Sequence, residues 1–193
     1  MKCVIVFGSP GSGKGDLCRA LKGRFKVHHV ETGALFRAMK TDPQFAENVA
    51  LMGKGKLLGD DLATDVVSVE FDRGLAANPD WLFLPDGYPR SVKQGEALLR
   101  LLDERKCDGK LLLQLWAPRA VCMERMRERA QKDNRPDDMD PAVIADRLDT
   151  YESNAAPTLA ILTANMPYTY VDATKNKDQV FDRTREVLAP MLA

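Results

Sequence analysis

The chain has 193 residues, 45% of them hydrophobic, enough for one compact domain with a sizeable core. Lys plus Arg and Asp plus Glu number 28 each, and this zero net charge argues against a general nucleic-acid binder, which carries a basic excess. The four cysteines (Cys3, Cys18, Cys107 and Cys122) include no Cys-x-x-Cys pair, so reduced thiols are expected and a zinc site is not. The first apolar run, Cys3–Phe7, is a strand and too short for a secretory signal. No run of about 18 apolar residues exists to span a membrane. A cytoplasmic, monomeric protein is the expectation.

Further strands are predicted at Lys26–Val30, Trp81–Leu84, Leu111–Trp116 and Tyr168–Val171. Helix patterns lie between them, near 14–24, 60–76, 91–105, 118–130, 141–163 and 177–189. This alternation predicts a parallel sheet with helices on both faces, and such sheets bind ligands beyond the carboxyl ends of their strands. Residues 32–78 make a long, mostly helical excursion, too long for a simple crossover. Residues 131–140 are polar and read as a loop, with Asp140-Pro141 as the N-cap and first turn of the next helix.

Gly8-Ser9-Pro10-Gly11-Ser12-Gly13-Lys14 follows a buried strand and opens a helix, the context that a Walker A loop requires. Glycines let successive amides point at phosphate oxygens, the helix N-terminus adds partial positive charge, and Lys14 adds a full one. Without that context, the same residues would make a tight turn with a solvated lysine.

Asp86-Gly87-Tyr88-Pro89-Arg90 follows the third strand, with Gln94 four residues beyond. Asp86 at a strand end can hold a water of a Mg²⁺ shell. Gly87 lets a base approach the backbone, Arg90 can grip a phosphate through two bonds, and Gln94 offers both a donor and an acceptor to a base edge. Glu31-Thr32-Gly33-Ala34-Leu35-Phe36-Arg37 follows the second strand. Arg125 and Arg129 share one helix face, Arg135 lies in the polar loop before Asp137 and Asp138, and Arg147 lies on the next helix. His28 and His29 sit in a strand and read as structural.

Gly8-x-Pro-Gly-x-Gly-Lys-Gly15, with Gly where most P-loops have Ser or Thr, resembles the adenylate kinase variant of the loop. The resemblance extends through Asp86–Arg90 and Tyr170-Val171-Asp172-Ala173-Thr174-Lys175, from Gly8 to Lys175. It implies a three-layer α/β/α fold of the P-loop NTPase type with a five-stranded parallel sheet. One domain, 1–193, would carry a helical monophosphate-binding insert at about 32–62 and a short lid at about 130–140.

The implied activity is Mg-ATP + AMP to 2 ADP. The resemblance places ATP at Gly11, Ser12, Gly13, Lys14, Gly15, Asp16, Arg125, Arg129 and Ala173. It places AMP at Thr32, Gly33, Arg37, Met52, Leu58, Gly87, Arg90 and Gln94. Lys14, Arg90, Arg129, Arg135 and Arg147 would surround the transferring phosphoryl, and Asp86 would touch Mg²⁺ through water. Partners are thus ATP and AMP or ADP, with no nucleic acid or membrane.

Four positions depart from the pattern, of which Ala173 for Gly is a mild one. Asp16 replaces Thr and either faces away from phosphate or helps hold hydrated Mg²⁺. Ala34 replaces Asp, and Glu31 replaces Ser at a position expected to be peripheral. Two other readings remain: a UMP/CMP kinase, against which Gln94 speaks because those enzymes generally carry Asn there, and a non-catalytic nucleotide sensor, motivated by Asp16 and Ala34.

Overall fold

The alternating pattern resolves into five strands and, among the described residues, seven helices. In this computed structural model the described residues are 1–38, 59–133 and 139–192. In chain order the elements are β1 (Lys2–Gly8), α1 (Lys14–Lys22), β2 (Val27–Glu31), α2 (Thr32–Ala38), α3 (Asp60–Ala77), β3 (Leu82–Asp86), α4 (Val92–Glu104), β4 (Gly109–Trp116), α5 (Arg119–Asp133), α6 (Pro141–Asn165), β5 (Tyr168–Asp172) and α7 (Lys177–Leu192). The sheet order is β2-β3-β1-β4-β5 and every pairing is parallel. No described helix is long and apolar enough to cross a membrane.

β1 occupies the centre because Cys3 through Phe7 are all buried, as a strand covered on both faces must be. Its side chains divide by period two. Val4 and Val6 join Leu113 and Leu115 of β4 beneath α1, α5 and α7, in a cluster with Leu17, Cys18, Cys122, Met126, Phe181 and Leu188. Cys3, Ile5 and Phe7 face the other way, into a cluster with Phe36 of α2, Val67 and Phe71 of α3, and Leu98 and Leu102 of α4. These two cores make the three layers that the alternation predicted.

Several boundaries run past the apolar pattern. β2 and β3 extend to Glu31 and Asp86, which pair across the ladder; their polar ends carry no hydropathic signal. α5 continues to Asp133, into the stretch read as loop. Gln131 and Lys132 are exposed and leave no apolar period, and both are good helix formers. Asp140 caps α6 as expected, its carboxylate accepting from the Ala142 amide at 2.8 Å, with Pro141 in the first turn.

Candidate active site

Beyond the carboxyl ends of β1 and β3 lies a cleft of about 1030 Å³. The strand order reverses direction about β1, and this is where a doubly wound sheet leaves a crevice for ligands. Gly8 and Pro10–Leu17 line its floor, Gly33, Arg37 and Asp86–Arg90 one side, and Arg125, Arg129 and Arg147 another. Ala173, Lys175 and Lys177 border the end nearest α7.

The phosphate loop needs glycine for a definite reason. At Gly11, φ is 81°, and a Cβ there would stand 2.3 Å from the Cys122 carbonyl oxygen. The loop therefore packs its backbone against the first turns of α5. Gly11→Ala incurs a left-handed backbone cost of roughly 1–2 kcal/mol and overpacking of roughly 1–3 kcal/mol. A stability loss of about 3 kcal/mol in urea unfolding is expected.

Lys14 opens α1 and turns back over the loop. Its Nζ donates to the carbonyls of Gly8 at 2.6 Å and Ser9 at 2.8 Å. Burial pulls its ammonium down to about 8, partly opposed by the nearby Asp86 carboxylate. Ser12 Oγ is buried and has no hydrogen-bond partner.

Asp86 ends β3 with 7% of its surface exposed. Burial alone would raise its pKa. The neighbouring His29 imidazole and the charge of Lys14 outweigh that, and hold the carboxyl below the ordinary carboxylate range. His29, read from sequence as structural, thus stands at the site, its Nε2 3.5 Å from Asp86 Oδ2.

Gly87 has φ 82°, and a Cβ there would meet Arg90 Nη2 at 2.6 Å. The glycine makes room for Arg90 to fold back, Nε donating to the Gly87 carbonyl at 2.5 Å. Gln94, 2% exposed, lies beneath this turn and is not among the cleft-lining residues. Its Oε1 accepts from the Arg90 amide at 2.7 Å, and its Nε2 donates to Asp60 at 3.0 Å. Thr32 is likewise beneath the floor, its hydroxyl donating to the Asp86 carbonyl at 3.0 Å.

Glu31 is not peripheral. It lines the cleft, with Oε1 3.2 Å from Arg37 and Oε2 3.7 Å from Arg19. The Asp16 carboxylate is committed to cations, at 2.5 Å from both Arg19 and Lys177. Burial pushes Asp16 up, but the bonds from Lys177 and Arg19 hold it below its usual value. Sequence spacing gave no sign of Lys177, because the contact joins α1 to α7 across the fold.

Arg125 and Arg129 project from one face of α5, flanking the buried stripe of Cys122, Met126 and Ala130, and Arg147 reaches the same cleft from α6. Ala173 is buried at the α7 end, its amide donating to the Trp116 carbonyl at 2.8 Å. Phe181 lies nearby, with Arg24 over its ring at 4.2 Å from the centroid. The expectations for Met52, Leu58 and Arg135, and for Asp137 and Asp138, lie outside the described residues.

A P-loop at the head of a doubly wound parallel sheet, facing a ring of arginines, defines a protein that binds nucleotide phosphates. A model of the adenylate kinase family matches residues 6–166. Adenylate kinase from Xanthomonas oryzae pv. oryzae is 31% identical over 187 residues, spanning 96% of this chain and 98% of that protein. Adenylate kinase from Phocaeicola vulgatus is 30% identical over 180 residues, spanning 92% and 93%, and that from Bacteroides thetaiotaomicron is 29% identical over 180 residues with the same coverage. The chain belongs to the adenylate kinase family.

Proposed function

We propose that this chain is a nucleoside monophosphate kinase that moves the terminal phosphoryl group of Mg-ATP onto AMP and yields two ADP. The observation that carries this reading is one cleft with two cationic halves: Lys14, Arg125, Arg129 and Arg147 on one side, Arg37 and Arg90 on the other. The first half suits a triphosphate on the loop, the second a monophosphate, and Lys14 stands where they meet.

Phosphoryl transfer passes through a loose transition state with charge spread over the equatorial oxygens, so positioned cations do most of the catalytic work. The phosphate of AMP is largely ionised at neutral pH, its second pKa being about 6, and needs no general base. Loop amides from Gly11 to Gly15 and Lys14 bind the donor phosphates. Arg37 and Arg90 orient the acceptor, and Arg129 and Arg147 meet the transferring group. Arg125 and Ala173 border the adenine of ATP, while Gly33 and Gly87 border that of AMP. Gln94, buried beneath the turn, braces it through the Arg90 amide and Asp60.

Magnesium, bound with ATP, supplies charge neutralisation on the phosphates. Asp86 fits such an ion as a carboxylate kept ionised at the cleft wall, and magnesium usually retains several of its waters. Gly15 offers no hydroxyl and Asp16 is held by Arg19 and Lys177, so contact through water on Asp86 is the reading for this ion. The Asp16 pairing also removes one motive for the sensor alternative.

Rates of ADP formation from ATP with AMP, UMP, CMP and GMP test the acceptor. AMP should be fastest; a higher rate with UMP or CMP would favour the pyrimidine reading.

Lys14 gives the reading a pH signature. A bound phosphate raises its pKa above the value of about 8 in the free protein. Affinity for ATP is then flat below pH 8 and weakens as pH rises above it, by up to about tenfold per unit until the bound pKa is reached. Calorimetry at pH 8.5 in buffers of different ionisation enthalpy should register proton uptake; none would contradict this role.

A further inference from the structure

The cysteine spacing gave no hint of a metal site, yet the fold brings three ligand types together behind the phosphate loop. Cys18 lies one turn after Lys14 on α1, His29 lies on β2 and Asp86 ends β3. One ligand atom from each lies within 4.8 Å of the other two. We propose that Cys18, His29 and Asp86 form a binding site for a borderline-soft divalent cation of the zinc class, distinct in chemistry from the magnesium that accompanies ATP.

The unexplained group is His29. Its side chain is only 6% exposed, and Nε2 has no partner in hydrogen-bonding geometry; its neighbour Asp86 Oδ2 stands 3.5 Å away. That distance is already the edge of a coordination tetrahedron, because bonds of about 2.0–2.3 Å set adjacent ligand atoms roughly 3.3–3.7 Å apart. The Cys18 sulfur must move inward by about 1 Å at most to complete a face. Asp86 lines the cleft, which gives the ion a way in and leaves its fourth position open to water.

Charge and ligand softness agree. One thiolate and one carboxylate neutralise a dication, so the occupied complex is itself neutral; against the empty site, where only Asp86 is ionised, binding with loss of one thiol proton raises the local charge by one unit. As the metal–sulfur bond forms, the thiol proton leaves to solvent. Thiolate and imidazole suit zinc or cobalt, whereas magnesium takes oxygen ligands. A zinc-class ion seated here engages the same Asp86 assigned above to the water shell of magnesium. Occupancy therefore sets the two ions against each other.

The test uses the full-length, nucleotide-free protein titrated with Co²⁺ as a spectroscopic substitute for zinc. One equivalent should produce a sulfur-to-cobalt charge-transfer band with intense visible bands of a four-coordinate ion, and Zn²⁺ should abolish both. C18S should lose the charge-transfer band, while C107S retains it. H29Q should weaken cobalt binding by at least about tenfold. A wild-type protein without the band, a band persisting in C18S, or H29Q titrating like wild type would each overturn the proposal. If circular dichroism shows C18S unfolded, the H29Q titration decides alone by the same criterion. Because no nucleotide is present, failure here leaves the kinase reading standing, and a failed kinase assay leaves this site standing.

Discussion

Lys14→Ala should lower kcat by roughly 10²–10³, the usual loss when one preorganised donor to a developing charge is removed. The Lys14 ammonium is held against the Gly8 and Ser9 carbonyls at 2.6 and 2.8 Å, at the mouth of the loop where a phosphate oxygen can meet it. Burial has already stripped part of its water shell, which is why its pKa falls to about 8. A partly desolvated cation interacts more strongly with charge that grows during transfer than a solvated one does. Steady-state ADP formation, with circular dichroism to confirm folding, is the measurement. Near-normal turnover would remove Lys14 from the chemistry.

Arg90→Ala should reduce kcat/KM for AMP by roughly 10–150-fold, with ATP affinity changed by no more than about twofold. A charge-assisted hydrogen bond is worth about 1.5–3 kcal/mol, and each 1.36 kcal/mol is tenfold in rate. The asymmetry follows from position. Arg90 hangs from the turn after β3, folded over Gly87 with Nε on the Gly87 carbonyl, on the side of the cleft away from α7 and Ala173. Initial rates at saturating ATP with AMP varied, beside direct ATP binding, separate the two effects. Equal losses for both nucleotides would contradict the assignment of this wall to the acceptor.

The parts of the fold legible in sequence were those written in local periodicity. The five apolar runs gave the five strands, and the loop between β1 and α1 announced itself because glycine spacing is a local backbone requirement. Asp140-Pro141 likewise marked the start of α6 within two residues. What escaped was non-local or polar. The ends of β2 and β3 carry Glu31 and Asp86, paired by the ladder and not by hydropathy. The α5 extension to Asp133 leaves no apolar period. Asp16 was an open question until α7 brought Lys177 to it. Gln94 looked like a base reader from its amide chemistry alone, and its bonds to Asp60 and the Arg90 amide depend on α3 packing against α4. His29 was indistinguishable from a structural strand histidine, because its neighbours Cys18 and Asp86 come from other elements.

The central physical claim is that donor and acceptor phosphates lie end to end in the single cleft between Lys14 and Arg90. Titration calorimetry with two adenosines joined by a five-phosphate chain tests it most directly. One molecule per chain should bind, and prior saturation with either ATP or AMP should weaken that binding. Displacement by ATP alone, with AMP having no effect, would contradict a shared cleft.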